Sequence, residues 1–228
     1  MPHRLPGSER AACENRRTMN KTPSDAAAIR ALLFDLGGVV IGFDFKRAFR
    51  IWADLARCDP AEIERKFSFD DAYEQHERGE IDAAGYFGVL RRNLGLSLSD
   101  EQFIAGWNDI YLGVIPGMPA LLSAASRYFI LYAFTNSNPT HRDAWAGRFA
   151  DELAVFRSIF VSSDLGLRKP DPEAFAAVAA RSGLQVSELL FFDDTPENVA
   201  GACGAGMPAV LVKSTMDVQE ALRRLGSQ

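Results

Sequence analysis

The 228-residue sequence predicts an α/β fold, a parallel sheet with helices on both faces and an all-helical insertion after the first strand. Three observations carry this prediction. Five apolar runs of strand length are continuous rather than alternating, as strands covered on both faces require. Between them, Asn138-Pro139, Asp171-Pro172 and Thr195-Pro196 each place a capping residue before a proline at the first helical position. The stretch between the first and second runs is too long for a simple crossover. Strand and helix in repeated alternation give a doubly wound domain.

In chain order, residues 1–28 hold Pro, Ser, Asn and Arg with little apolar periodicity and are expected to be a disordered extension. Arg16-Arg17 is not followed by the apolar region of a signal peptide. The fold is expected to begin near Ile29, with the first strand at Ala31–Phe34. Residues 45–113 read as helices throughout and are expected to form a small cap domain above the strands' C-terminal edge. Asp82 marks one helix start there, and Ser99-Asp100-Glu101-Gln102 forms a capping box for another. The core domain is then residues 29–44 and 114–228. It carries strands at Tyr128–Phe134, Ser158–Val161, Leu189–Phe192 and Ala209–Val212, and Gly183 ends the helix that starts near Pro172.

Composition narrows the function. A net charge of −5 and no Lys/Arg run after residue 30 exclude a nucleic-acid face. The apolar runs fall far short of the roughly twenty residues of a membrane helix. Cys13, Cys58 and Cys203 are odd in number and widely spaced, which reads as reduced thiols of a cytoplasmic protein, Cys203 in the core. No protein partner is implied.

Ligands of an open parallel sheet bind beyond the carboxyl ends of its strands. Asp35-Leu36-Gly37-Gly38 follows the first strand, and Thr135-Asn136-Ser137-Asn138 the second. The third is followed by a loop reaching Arg168-Lys169-Pro170, and the fourth by Asp193-Asp194-Thr195. A carboxylate, a hydroxyl, an ammonium and an acidic pair thus converge on one edge. Two unit charges about 4 Å apart repel by about 4 kcal/mol at an effective dielectric of about 20, so the carboxylates require a proton or a cation. Hard oxygen ligands beside a phosphate suit Mg²⁺. Thr135 and the amide of Asn136 offer donors to phosphate oxygens. Positioning and charge neutralisation are most of what phosphoryl transfer asks of a protein.

These residues resemble the four ordered motifs of the haloacid dehalogenase superfamily: Phe34-Asp35-Leu36-Gly37-Gly38-Val39, Thr135-Asn136, Lys169-Pro170 and Asp193-Asp194. The likeness runs from about residue 30 to the C-terminus. Gly37 and the stretch His76-Glu77-Arg78-Gly79-Glu80-Ile81 are similar to the bacterial α-D-glucose-1-phosphate phosphatase branch. The resemblance implies a Rossmann-like core and a phosphatase of a small phosphorylated metabolite. It implies Asp35 as nucleophile, Thr135, Asn136 and Lys169 as phosphate-binding groups, and Mg²⁺ held by Asp35, the Gly37 carbonyl and Asp194. Asp193 is then a more distant or water-mediated contact.

One position departs from most phosphatases of the superfamily, which carry an acidic proton donor where this chain has Gly37. Loss of general acid help costs typically 10²–10⁴-fold, least for leaving groups that are already acidic, such as the hemiacetal oxygen of a sugar 1-phosphate. Asp44, His76 and Glu77 are candidate substitutes, although His76 reads more simply as a core or surface histidine. Arg168 reads as a solvated neighbour of Lys169. A metal-independent 2-haloacid dehalogenase is the alternative, against which the acidic pair tells; a weakly catalytic binding protein is the third.

Overall fold

The computed structural model of the protein describes residues 28–226; the expected extension lies, up to residue 27, outside them. In chain order the elements are β1 (Ala31–Phe34), β2 (Ile41–Phe43), α1 (Lys46–Ala56), α2 (Pro60–Lys66), α3 (Asp71–Glu77), α4 (Ala83–Leu94), α5 (Asp100–Asn108) and β3 (Tyr111–Val114). Then follow α6 (Met118–Ala125), β4 (Ile130–Thr135), α7 (Pro139–Arg148), α8 (Ala150–Leu153), β5 (Ser158–Val161) and α9 (Ser162–Leu165). The chain closes with α10 (Pro172–Ser182), β6 (Leu189–Asp193), α11 (Pro196–Gly204), β7 (Ala209–Leu211) and α12 (Thr215–Arg224).

The five long apolar runs form one parallel sheet in the order β5-β4-β1-β6-β7. Successive residues of β1 alternate between its two faces. Leu32 and Phe34 join the larger core cluster, and Ala31 and Leu33 the smaller one. Both faces are therefore dry, which is why the runs carry no polar alternation. Phe34 stacks on Phe192 of β6, with ring centroids 4.6 Å apart. Because β1 is central and flanked by β4 and β6, Asp35, Thr135 and Asp193 end three adjacent strands. The crevice where strand order reverses is the expected ligand site of such a sheet.

The insertion between β2 and β3 is helical from Lys46 to Asn108. Its last residues depart from expectation: Tyr111–Val114 is a strand, antiparallel to β2 in a separate two-stranded sheet. Asp82 accepts from the Gly85 N–H, and Ser99 with Gln102 closes the capping box. Asn138 caps α7 through its side chain, whereas Asp171 and Thr195 occupy the capping position without such a bond. Trp52 and Trp107 are fully buried and stack on each other inside the insertion. Cys58 is a free thiol, but Cys203 is half-buried and disulfide-bonded, so the expectation of three reduced thiols fails there. Among the described residues, no helix is long and apolar enough to cross a membrane.

Candidate active site

Asp35 leaves β1 with its N–H bonded to the Phe192 carbonyl (2.8 Å). Its Oδ1 accepts the Leu36 N–H at 2.7 Å. The Lys169 ammonium sits 2.9 Å from Asp35 Oδ1 and 2.7 Å from Asp193 Oδ2, and the lysine is only 1% exposed. Asp193 is held in turn: Thr195 N–H donates to it at 2.8 Å, and Asn198 Nδ2 reaches both oxygens at 3.0 and 3.1 Å. A fully buried carboxylate thereby fixes a buried ammonium against Asp35.

The sequence reading missed Asn198. Its signal was the position one turn into the helix that follows the acidic pair. The side chain of Asn136 also has a role that spacing did not show. It donates to the Lys169 carbonyl (2.8 Å) and accepts the Lys169 N–H (2.9 Å). A phosphate contact from Asn136 therefore rests on its backbone N–H alone.

Electrostatics follow from this crowding. Burial pushes the Asp35 carboxyl up to about 7 against the pull of Lys169, and the Asp193 and Asp194 charges add to the rise. Burial works to strip Lys169 of its proton, but Asp35 and Asp193 outweigh it and hold the ammonium above its ordinary value. Asp194 stands at the rim, raised by partial desolvation and by Asp193. Asp35, Asp193 and Asp194 each offer an oxygen within 4.8 Å of the others. One ammonium serves two of the three, so the donor set suits a further hard divalent cation. A Cβ at Gly38, whose φ is +79°, would lie 2.1 Å from Asp194 Oδ2; glycine lets Asp194 approach this loop.

Beside Asp35, a cleft of about 70 Å³, partly open to solvent, runs between core and insertion and is lined by Gly37, Thr135 and Asn136 at one end. At Gly37, a Cβ would meet the Phe43 ring at 3.1 Å. The candidate substitutes for the missing acid are otherwise engaged. Asp44 accepts the Lys46 N–H at 2.9 Å at the start of α1. His76 is buried, stacked on Tyr86, with Nδ1 3.0 Å from the Ile81 carbonyl, a core histidine. Glu77 accepts from Arg168 at 2.9 and 3.0 Å. Arg168 is therefore no solvated neighbour: it also reaches Glu74 at 3.1 Å and ties α3 to the loop that carries Lys169.

Residues 29–206 match the haloacid dehalogenase-like hydrolase family. The chain belongs to that family. A phosphatase of Mycobacterium tuberculosis is 28% identical over 206 residues, which cover 86% of this chain and 93% of the relative. The D-ribitol-5-phosphate phosphatase of Bacteroides thetaiotaomicron is 26% identical over 178 residues, 75% of this chain and 85% of that one. Among solved structures, the magnesium complex of a HAD family enzyme from Bacteroides thetaiotaomicron superposes with a TM-score of 0.74 at 28% identity, covering 86% of this chain and 99% of that one. The α/β haloacid dehalogenase-like fold and the assignment as a hydrolase with phosphatase relatives agree with the sequence reading; these relatives do not single out the glucose-1-phosphate branch.

Proposed function

We propose that this family member is a Mg²⁺-dependent phosphatase that hydrolyses a small phosphomonoester through an aspartyl-phosphate on Asp35. The single observation behind this reading is the buried Lys169 ammonium bridging Asp35 and Asp193, with Asp194 completing a three-carboxylate cluster. Asp35, Asp194 and the Gly37 carbonyl would hold the ion, which supplies charge neutralisation for a phosphate dianion approaching a carboxylate. Lys169 neutralises one phosphate oxygen and opposes the rise that burial imposes on the Asp35 carboxyl. Thr135 and the Asn136 N–H orient the others.

An Asp35 oxygen forms a bond to phosphorus while the phosphorus–oxygen bond to the leaving group breaks, and that oxygen departs with the electron pair and takes a proton from solvent. Water then attacks the phosphorus, releasing inorganic phosphate and restoring the Asp35 carboxylate. The helical insertion, residues 45–113, would act as the cap over this chemistry. Because Gly37 brings no proton donor, the reading favours leaving groups that depart unprotonated. Glucose 1-phosphate, the substrate implied by the resembled branch, meets that condition through its hemiacetal oxygen.

Phosphate release from acetyl phosphate and a sugar phosphate panel, with Mg²⁺ and with chelator, tests the reading. Release is expected to need Mg²⁺, and Asp35→Asn is expected to lower it by at least about 10³-fold. Release that survives Asp35→Asn would overturn the mechanism.

A further inference from the structure

The cleft beside Asp35 is as informative for what its side chains have already spent as for what they are. Beyond Thr135 at the phosphate end, most polar side chains lining it have partners within the protein. Asn136 is bound to the Lys169 backbone. Ser137 accepts from Trp145 Nε1 at 3.3 Å. The Tyr73 and Tyr111 hydroxyls lie near Glu77 and Ser137. His141 has Nε2 2.9 Å from the Trp107 carbonyl and Nδ1 3.3 Å from Asn138 Nδ2.

Among the described residues no charged side chain lines this cleft, and the rest of its wall is Leu36, Ile41, Phe43, Phe45 and Ile110 beside Gly37. Phe43 is 41% exposed, meets Phe45 edge-on at 5.8 Å and lies against Gly37, so an aromatic ring lines the cleft two residues along from Asp35. A polyhydroxylated leaving group placed here would trade water for a wall that is largely apolar and aromatic, which offers its hydroxyls few partners.

We infer that the substrate is an aryl phosphate monoester, its leaving group an uncharged phenolic alcohol seated against Phe43 and Phe45. The inference rests on the phosphatase reading and narrows its substrate class. Two independent features agree on it. The wall selects an apolar ring, since aromatic pairs gain from edge and offset contacts. Gly37 selects an oxygen that leaves without help: a phenol ionises near 10, as tyrosine does, well below an aliphatic alcohol. The step balances as for any ester of this site. Asp35 bonds to phosphorus, the aryl–oxygen to phosphorus bond breaks, and the aryloxide carries off the pair and is protonated by solvent.

Steady-state kinetics with Mg²⁺ on phenyl phosphate, 2-naphthyl phosphate, glucose 1-phosphate and acetyl phosphate test the inference. The two aryl esters have phenols of similar acidity and differ in apolar area. KM for the naphthyl ester is expected to lie roughly tenfold or more below that for the phenyl ester, and below that for glucose 1-phosphate. Phe43→Ala, and separately Phe45→Leu, are expected to bring the naphthyl and phenyl KM values together. Equal KM values for the two aryl esters in the unaltered protein, or a lower KM for glucose 1-phosphate, overturn the inference while turnover itself upholds the phosphatase. Absence of release from all four compounds, the acyl phosphate included, removes the phosphatase reading and the inference with it.

Discussion

Asn136 and His141 show how much of this site is held by side chains bonded to the protein itself. The Asn136 amide makes two hydrogen bonds to the Lys169 backbone, and net hydrogen bonds contribute about 1 kcal/mol each. Asn136→Ala is expected to cost about 2 kcal/mol in urea unfolding and to slow phosphate release roughly tenfold by loosening Lys169. His141 is buried, and burial pushes its imidazole down to about 3. The folded state thus refuses a proton that the unfolded chain takes up near pH 6.5. Stability is expected to fall as pH drops from about 6.5 toward 5, by about 1.4 kcal/mol per pH unit from this residue. Buried His76, also lowered, adds in the same direction. Urea unfolding at several pH values should give a shallower slope for His141→Gln.

Among elements, α1 and α5 pack closely in the insertion, with Gly106 against Trp52 and Ala48. A Cβ at Gly106 would lie 2.4 Å from Trp52 Nε1 and 3.1 Å from the Ala48 carbonyl. Trp52 is fully buried and donates to the Phe103 carbonyl at 3.0 Å, so it has no room to yield. Gly106→Ala is expected to destabilise the protein by about 2–4 kcal/mol, read from the urea midpoint at unchanged slope. The short elements were the ones the sequence hid. β2 and β3 hold three and four residues, each with a glycine, and pair across the whole insertion. Nothing local distinguishes them from loop. β1, β4, β5, β6 and β7 were legible because both their faces are buried, which leaves a continuous apolar run.

At the scale of the whole molecule, the Arg168 contacts join the insertion to the core beside the reactive lysine. Glu77 is 5% exposed at its side chain and Arg168 17%, so the pair is largely shielded and removal of one partner strands the other. Glu77→Ala is expected to cost about 2–3 kcal/mol of stability. It should also raise KM more than it lowers kcat, because Tyr73, near Glu77, lines the cleft. Glu77→Gln, which keeps a hydrogen-bond acceptor for Arg168, should recover part of both losses.

The sequence by itself determined the five strands of the parallel sheet, the helix starts and the gathering of Asp35, Thr135, Lys169 and Asp194 at one sheet edge. Those features are local: apolar runs, capping residues, and the rule that strand ends carry the ligand. Gly37 was equally plain as a missing proton donor. Tertiary structure decided the rest. Asn136 and Arg168 could not be assigned from spacing, since their partners lie 33 and 91 residues away and their bonds exist only once the sheet and insertion are packed. The cleft wall was invisible for the same reason: Phe43, Phe45, Tyr73 and Ile110 come from separate segments, and only folding turns scattered apolar residues into one surface beside a phosphate site.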